Sequence, residues 1–388
     1  MGWYQVLTDY HGMVHQVLTR DVPAWPPVPV SPPGLRWPSA GAPCRSCSKS
    51  CTDPKPARRS WALNSLCDLD HDPERIYQTV SGGFLEQLKV LLKDEDSSVR
   101  TKTCELLHLL TVTTASKHSI RTDEQALLSS SLLPPLSQLL DDSSSSCRRN
   151  VHRVLNRLTL LPAGAAALLS LVPKLMLKLR EEEQQEEEEV QVLLLSTLCS
   201  CSRLDTLPAL ASDGISLLGH KLSHHSSNIR REAAAVMMAP QGRNRVQSAS
   251  DVCEDGRQQV CEEAVLPLLV GLLQDDDVEV QANAAGVIMY TVVLTTGKQQ
   301  CLQLNVIPVL LQLVSETKEE EEDEERRRRK ALIMYSLRAL TSLAEAPDGR
   351  RVLLEQLPLL VRRSEAAEED PDIRRAAQTA VRVVTWTP

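Results

Sequence analysis

The chain is 388 residues long, 42% hydrophobic but only 3% aromatic, with a formal net charge of −8. That balance excludes the strongly basic chain expected of a nucleic-acid binder, and the length exceeds one compact core unless repeated units stack. Eleven scattered cysteines do not form a secreted disulfide framework and imply a reducing compartment, the cytosol or a space continuous with it.

The opening MGWYQVLTDYHGMVHQVLTR lacks the long apolar core and cleavage site of a signal peptide. Residues 1–57 then run through DVPAWPPVPVSPPGLRWPSAGAP, whose prolines, with Trp25 and Trp37, read as an extended or disordered tail. A polyproline ligand for an aromatic groove is the sharper alternative. The tail also holds Cys44, Cys47 and Cys51, with Cys67 and His71 downstream, but one CxxC pair without a second is a weak zinc signal, and plain thiols are expected. No metal or other cofactor is expected anywhere in the chain.

From about residue 58 the pattern changes. The unit Glu263–Lys298 sets the template: an apolar helix with Pro267 in its first turn, the acidic turn Asp275–Asp277, and a second apolar helix from Val278. Proline suits the first turn because its N–H would have no intrahelical partner, and carboxylates suit the start of the next helix because they accept its free N–H groups. The same pattern recurs at Phe84–Leu110, Leu132–Leu158, Leu171–Leu198, Gly214–Met238, Val306–Leu343 and Leu357–Val384, while Trp61–Val80 resembles the second half of an eighth unit. A repeat near 40 residues predicts an all-α, right-handed armadillo/HEAT-like solenoid of seven to eight units over 58–388. No apolar run approaches the roughly 20 residues of a membrane span.

Two charged stretches interrupt the array. Seven glutamates lie within 181–189, and ETKEEEEDEERRRRK spans 316–330; without them the chain is nearly neutral. Both are expected as acidic insertions in inter-helix loops, since Pro173 to Val190 and Pro308 to Leu332 exceed the template interval Pro267 to Val280. The five cations Arg326, Arg327, Arg328, Arg329 and Lys330 are a candidate protein-binding patch for an acidic surface such as tubulin tails, against the plainer expectation of a self-neutralising helix extension. Trp386 is expected either to cap the last layer or to anchor a partner.

Other candidates are weaker. His220, His224 and His225 form the one histidine cluster, without HExxH, and read as a solvated helix end. Ser143–Ser146 read as a polar turn, with phosphorylation as the alternative. Arg100, Arg148, Arg230 and Arg374 follow the turns and are expected to hold neighbouring turns together. Neither a GxSxG elbow nor a GxxxxGK[ST] loop is present, so no catalytic activity and no small-molecule substrate is expected. Armadillo proteins that grip extended peptides carry an asparagine on the last helix of successive repeats; here those positions are Leu109, Tyr290, Ser342 and Val383, which disfavours a peptide groove of that type.

The phrases ALNSLCDLDHDPERIY (62–77), LKVLLKDEDSSVRTKT (88–103), AGVIMYTVVLTTGK (285–298), ALTSLAEAPDGRRVLLEQLP (339–358) and the ending RRAAQTAVRVVTWTP resemble the radial spoke head 14 homologue family. The resemblance spans about 61–388; the tail, the acidic stretches and the arginine run depart from it. It implies an armadillo-repeat component of the radial spoke in motile cilia and flagella, located in cytoplasm, cytoskeleton and axoneme. Its partners would be other spoke subunits or axonemal proteins, with no nucleic acid and no membrane. An adaptor or assembly factor for axonemal complexes is the other reading.

Overall fold

Three of the turns between paired helices are each built around one aspartate. Asp94, Asp142 and Asp275 each accept the backbone N–H two residues ahead, at 2.8–3.0 Å, which turns the chain into the following helix. Ser144, Asp277 and Asp370 then sit at the N-caps and accept first-turn amides of their helices.

In the computed structural model the described residues are 51–69, 84–116, 132–181, 187–211, 213–239, 249–316, 322–366 and 370–386. Their regular structure is helical. A lone helix α1 (Pro56–Leu69) precedes two helix pairs: α2 (Phe84–Leu91) with α3 (Ser97–Ser116), and α4 (Leu133–Leu139) with α5 (Ser145–Leu158). Five three-helix units follow: α6 (Pro162–Leu168), α7 (Val172–Glu181), α8 (Glu188–Ser202); α9 (Leu207–Leu210), α10 (Gly214–Leu222), α11 (Ser227–Met238); α12 (Ala249–Glu262), α13 (Leu266–Leu272), α14 (Val278–Thr291); α15 (Thr295–Gln303), α16 (Val306–Ser315), α17 (Asp323–Leu343); and α18 (Pro347–Glu355), α19 (Leu357–Glu365), α20 (Pro371–Val384). Seven pairs plus the half unit α1 match the periodicity. The fold is an all-α solenoid of armadillo type. Its last helices α1, α3, α5, α8, α11, α14, α17 and α20 pack one on the next, and a single apolar core runs the length of the stack.

The first helices of the later units went unrecognised in the sequence, and backbone geometry explains how they fit. Gly164, Gly297 and Gly349 each let a first helix sit on the end of the preceding last helix. A Cβ at these positions would lie 2.0, 2.2 and 2.2 Å from the carbonyl oxygens of Leu158, Thr291 and Leu343. The corner from first to second helix uses a left-handed residue, Asp213, Ala264 or Asn305, with φ of 54°, 53° and 52°.

Two expectations change. The charged stretches are not simply loops: Glu188, Glu189 and the whole run Asp323–Lys330 lie in helices α8 and α17. The acidic ends feed the positive ends of those helix dipoles, which is why the helices extend into them. Second, Pro162–Glu181 is long and apolar enough by composition to cross a membrane, contrary to the expectation of no such run. Its apolar residues Leu168, Val172, Leu175, Met176 and Leu179 are instead consumed by the core, and a 3₁₀ turn at Leu169–Leu171 divides it. Cys51 and Cys67 are buried thiols, as are the six other cysteines whose burial is described, whereas Cys44, Cys47, His71 and residues 1–50 of the tail lie outside the described residues.

Candidate interaction surface on the last-helix face

The turn arginines act as clamps. Arg100 donates to the carbonyls of Asp94 and Glu95 in its own turn and, through Nε and Nη2, to both carboxylate oxygens of Asp142 in the next turn, at 2.6 and 3.1 Å. Arg59 does the same with the carbonyls of Asp53 and Pro54 and with Asp94, and Arg230 with the carbonyls of His224 and His225 and with Asp275. The expected inter-turn role holds for Arg100 and Arg230; Arg148 is seen on its own turn, donating to the carbonyl of Asp142. Burial raises the Asp142 pKa, but the bonds from Arg100 and from the Ser144 amide outweigh it and hold the carboxyl below the usual carboxylate range. Gln281 replaces the arginine in α14 and reaches only the Asp275 carbonyl, so the clamp stops there.

A second charge seam crosses the first turns of the last helices, and it takes in residues from both charged stretches. Arg149 and Arg153 of α5 pair with Glu187 and Glu189. Glu188 accepts Ser226 and Asn228 ahead of and within α11, at 2.5 and 2.9 Å. Arg231 of α11 and Arg328 of α17 meet at Glu279 of α14, at 3.5 and 3.3 Å, and Arg328 also holds Glu324. Lys330 bridges Asp370 and Asp372 at 2.9 Å each. Burial lifts the pKa of Glu279 more than its two guanidinium neighbours lower it.

This places the sequence candidates. Within the patch 326–330, Arg328 and Lys330 are half-buried and tie units together; Arg329 is buried and pairs with Glu316 and Glu325. Arg326 is exposed beside Asp323, and Arg327 is exposed. The five cations therefore do not present one surface. Trp386 is 57% exposed, with the Arg350 guanidinium 5.7 Å from its ring centroid. Around the histidine cluster, His224 accepts the Ser226 amide through Nδ1 and its ring lies 4.1 Å from that of His225. Ser144 is the N-cap of α5, with Ser145 and Ser146 exposed in its first turn. Among the described residues no group of three or more His, Cys, Asp or Glu side chains is placed to hold a metal ion.

Beyond the seam, toward the C-terminal halves of the last helices, lies a face that the sequence did not single out. Arg157 of α5, Arg203 after α8, Glu232 of α11, Tyr290 of α14, and Tyr335 and Arg338 of α17 are half-buried there. Apart from Arg157, they are linked electrostatically across units. Arg203 acts on the carboxyl of Glu232 and on the hydroxyl of Tyr335, as do Tyr290 and Arg338 on Tyr335. Burial, reinforced by Glu279 and opposed by Arg231 and Arg203, lifts the Glu232 pKa to about 7, and burial with Tyr290 lifts that of Tyr335 to about 12. Burial also lowers the pKa values of Arg157 and Arg338. The asparagine positions Leu109, Tyr290, Ser342 and Val383 do lie half-buried on the last helices, while Asn150, Asn156 and Asn283 donate between helices to the carbonyl of Thr101, the hydroxyl of Thr197 and the carbonyl of Arg231.

Residues 91–241 match a family described as "Dynein axonemal assembly factor 5-like, TPR repeats", and residues 253–288 match the armadillo/beta-catenin-like repeat. Among solved structures, the chain is similar to a designed armadillo repeat protein in complex with the peptide (KR)4, at 19% identity and a TM-score of 0.54 over 64% of this chain and 99% of that one. It is also similar to an engineered protein from a structural genomics consortium, at 17% identity and a TM-score of 0.50 over 89% of this chain and all of that one. These similarities speak to the fold, a helical repeat scaffold.

Proposed function

We propose that this chain is a non-catalytic docking scaffold of the motile axoneme, a structural subunit of the radial spoke that joins neighbouring subunits along its stack of helices. The observation that carries this reading is the set of sequence phrases between 62 and 388 that resemble the radial spoke head 14 homologue family. The architecture supports it. A stack whose turns are clamped by Arg59, Arg100 and Arg230 and whose last helices share a charge seam resists bending, which suits a strut. An assembly factor for axonemal complexes is the second reading, favoured by the match of residues 91–241 to the dynein axonemal assembly factor family.

Extraction of isolated motile cilia separates the two. A structural subunit stays with the axoneme after detergent and leaves in high salt together with a known spoke component. Recovery of the chain only from the cytoplasm of ciliating cells overturns the spoke reading and puts the assembly factor first.

A further inference from the structure

We propose that residues 3–18 of this chain form an amphipathic helix that packs on the open side of α1 and covers Trp61, completing the N-terminal end of the stack. The proposal concerns the array itself and stands whether or not the chain belongs to the axoneme.

The open side is fixed by register. Arg59, Arg100, Arg148 and Arg230 each donate to the carbonyl six residues back in their own turn, as Gln281 does through its amide, and this aligns the last helices with one another. Two residues on from Arg148 and Gln281 stand Asn150 and Asn283, which reach back to the preceding last helix and are only 8% and 2% exposed. The same place in α1 holds Trp61. No described helix precedes it, and Trp61 is 47% exposed. The other end of the stack differs. In α20 the residues in register with the buried Ala282, Gly286 and Met289 of α14 are Arg375, Thr379 and Arg382, exposed or half-buried. A terminal unit with a polar outer face needs no neighbour, whereas one that presents a tryptophan leaves apolar area in water.

The chain that leads into α1 supplies the occupant. Residues 1–50 run directly into the turn before α1, and their prolines begin only at Pro23. Ahead of them Trp3, Leu7, Tyr10, Val14 and Val17 recur at the spacing of one helix face, with Val6, Met13 and Leu18 alongside. Gln5, Thr8, Asp9, His11, His15 and Gln16 fall on the opposite half, and among the apolar residues Tyr4 alone joins them. A helix over 3–18 is about 24 Å long against about 21 Å for α1, so it spans its seat from end to end. The seat accepts an apolar cover. Ala57, Trp61 and Ser65 line it at helical spacing, and the Ser65 hydroxyl already donates to the Trp61 carbonyl at 3.0 Å. Arg58, paired with Asp53, and the exposed Asp68 lie at its two ends, where they stay in water. Covering the seat therefore strands no polar side chain, and the apolar faces of both helices leave water together.

The test is hydrogen exchange of the full chain, followed by mass spectrometry in peptides from 3–18, α1 and α14. We expect the amides of residues 7–18 to exchange at least about tenfold more slowly than an unstructured peptide. Leu7→Asp with Val14→Asp, on the apolar face, should release that protection and speed exchange in α1, leaving α14 unchanged as the sign that the stack is intact. Thr8→Asp, on the opposite face, should leave the protection in place. Trp61→Ser alters the seat without touching residues 3–18 and should release them as well. Exchange of 3–18 at unstructured rates in the unaltered chain, full protection that survives Trp61→Ser, or protection that rises with protein concentration, the mark of a second copy as the occupant, would each overturn the proposal.

Discussion

Replacing Asp142 by Ala removes the carboxylate that joins the turn of one unit to the arginine of the one before. The Asp142 side chain is 3% exposed and that of Arg100 15%, and two of the five Arg100 N–H groups lose their acceptors. Breaking a pair buried to this degree costs on the order of 3–5 kcal/mol, since one charge is left without its partner. Arg100 keeps the carbonyls of Asp94 and Glu95, and the opened turn lets water in, so the lower end, about 3 kcal/mol, is expected. Arg100→Ala should cost a similar amount, because it strands the more deeply buried Asp142. The double variant should cost less than the sum by at least ~1.5 kcal/mol. Urea unfolding of the four proteins measures this coupling. Because stability in a stacked array is local, hydrogen exchange should locate the loss at α2–α5 and leave α17–α20 unchanged. A coupling below ~0.5 kcal/mol would refute the clamp as a stabilising contact.

Gly297→Ala should destabilise by about 2 kcal/mol or more in thermal melts, because its Cβ would meet the Thr291 carbonyl oxygen at 2.2 Å in rigid backbone. Ala264→Gly should stabilise by about 1 kcal/mol, relieving a left-handed φ of 53°, and an unchanged melting temperature would show that corner to be unstrained. His152 is fully buried with neither ring nitrogen bonded, and burial, with Arg148 and Lys178 nearby, depresses its pKa from 6.5 to about 4. The unfolded chain therefore binds this proton at a higher pH than the folded one. Stability should be full above pH 6.5 and fall as pH drops toward 4, by about 3 kcal/mol for this group. His152→Leu should flatten that acid limb in denaturant melts across pH and should not destabilise at pH 7.5.

The repeat pattern was legible because it rests on local chemistry. Prolines open several second helices, aspartates build the turns, and apolar residues recur at helical spacing; these fix seven pairs and a half unit. The clamp was legible for the same reason, since Arg100 and Arg230 follow their turns at a constant interval. What sequence could not assign was pairing across units. Arg328 reads as part of a cationic run until α14 brings Glu279 within 3.3 Å, and Lys330 until α20 brings Asp370 and Asp372. The first helices were missed because α6 and α9 are only seven and four residues long, while α15 and α18 are largely polar. Their one signal is the glycine placed six residues beyond Leu158, Thr291 and Leu343, in PAG, TTG and PDG.

The central claim is that the described part of the second charged stretch is built into the stack and does not stand out as a free surface. Hydrogen exchange of the full chain tests this at Asp323–Lys330. If the run is the first turns of α17, held by Glu279, Asp370 and Asp372, amides beyond its first turn exchange slowly, and protection falls when high salt weakens the seam. Exchange at loop rates, indifferent to salt, would contradict the account and return Arg326–Lys330 to the surface as the patch that meets a partner.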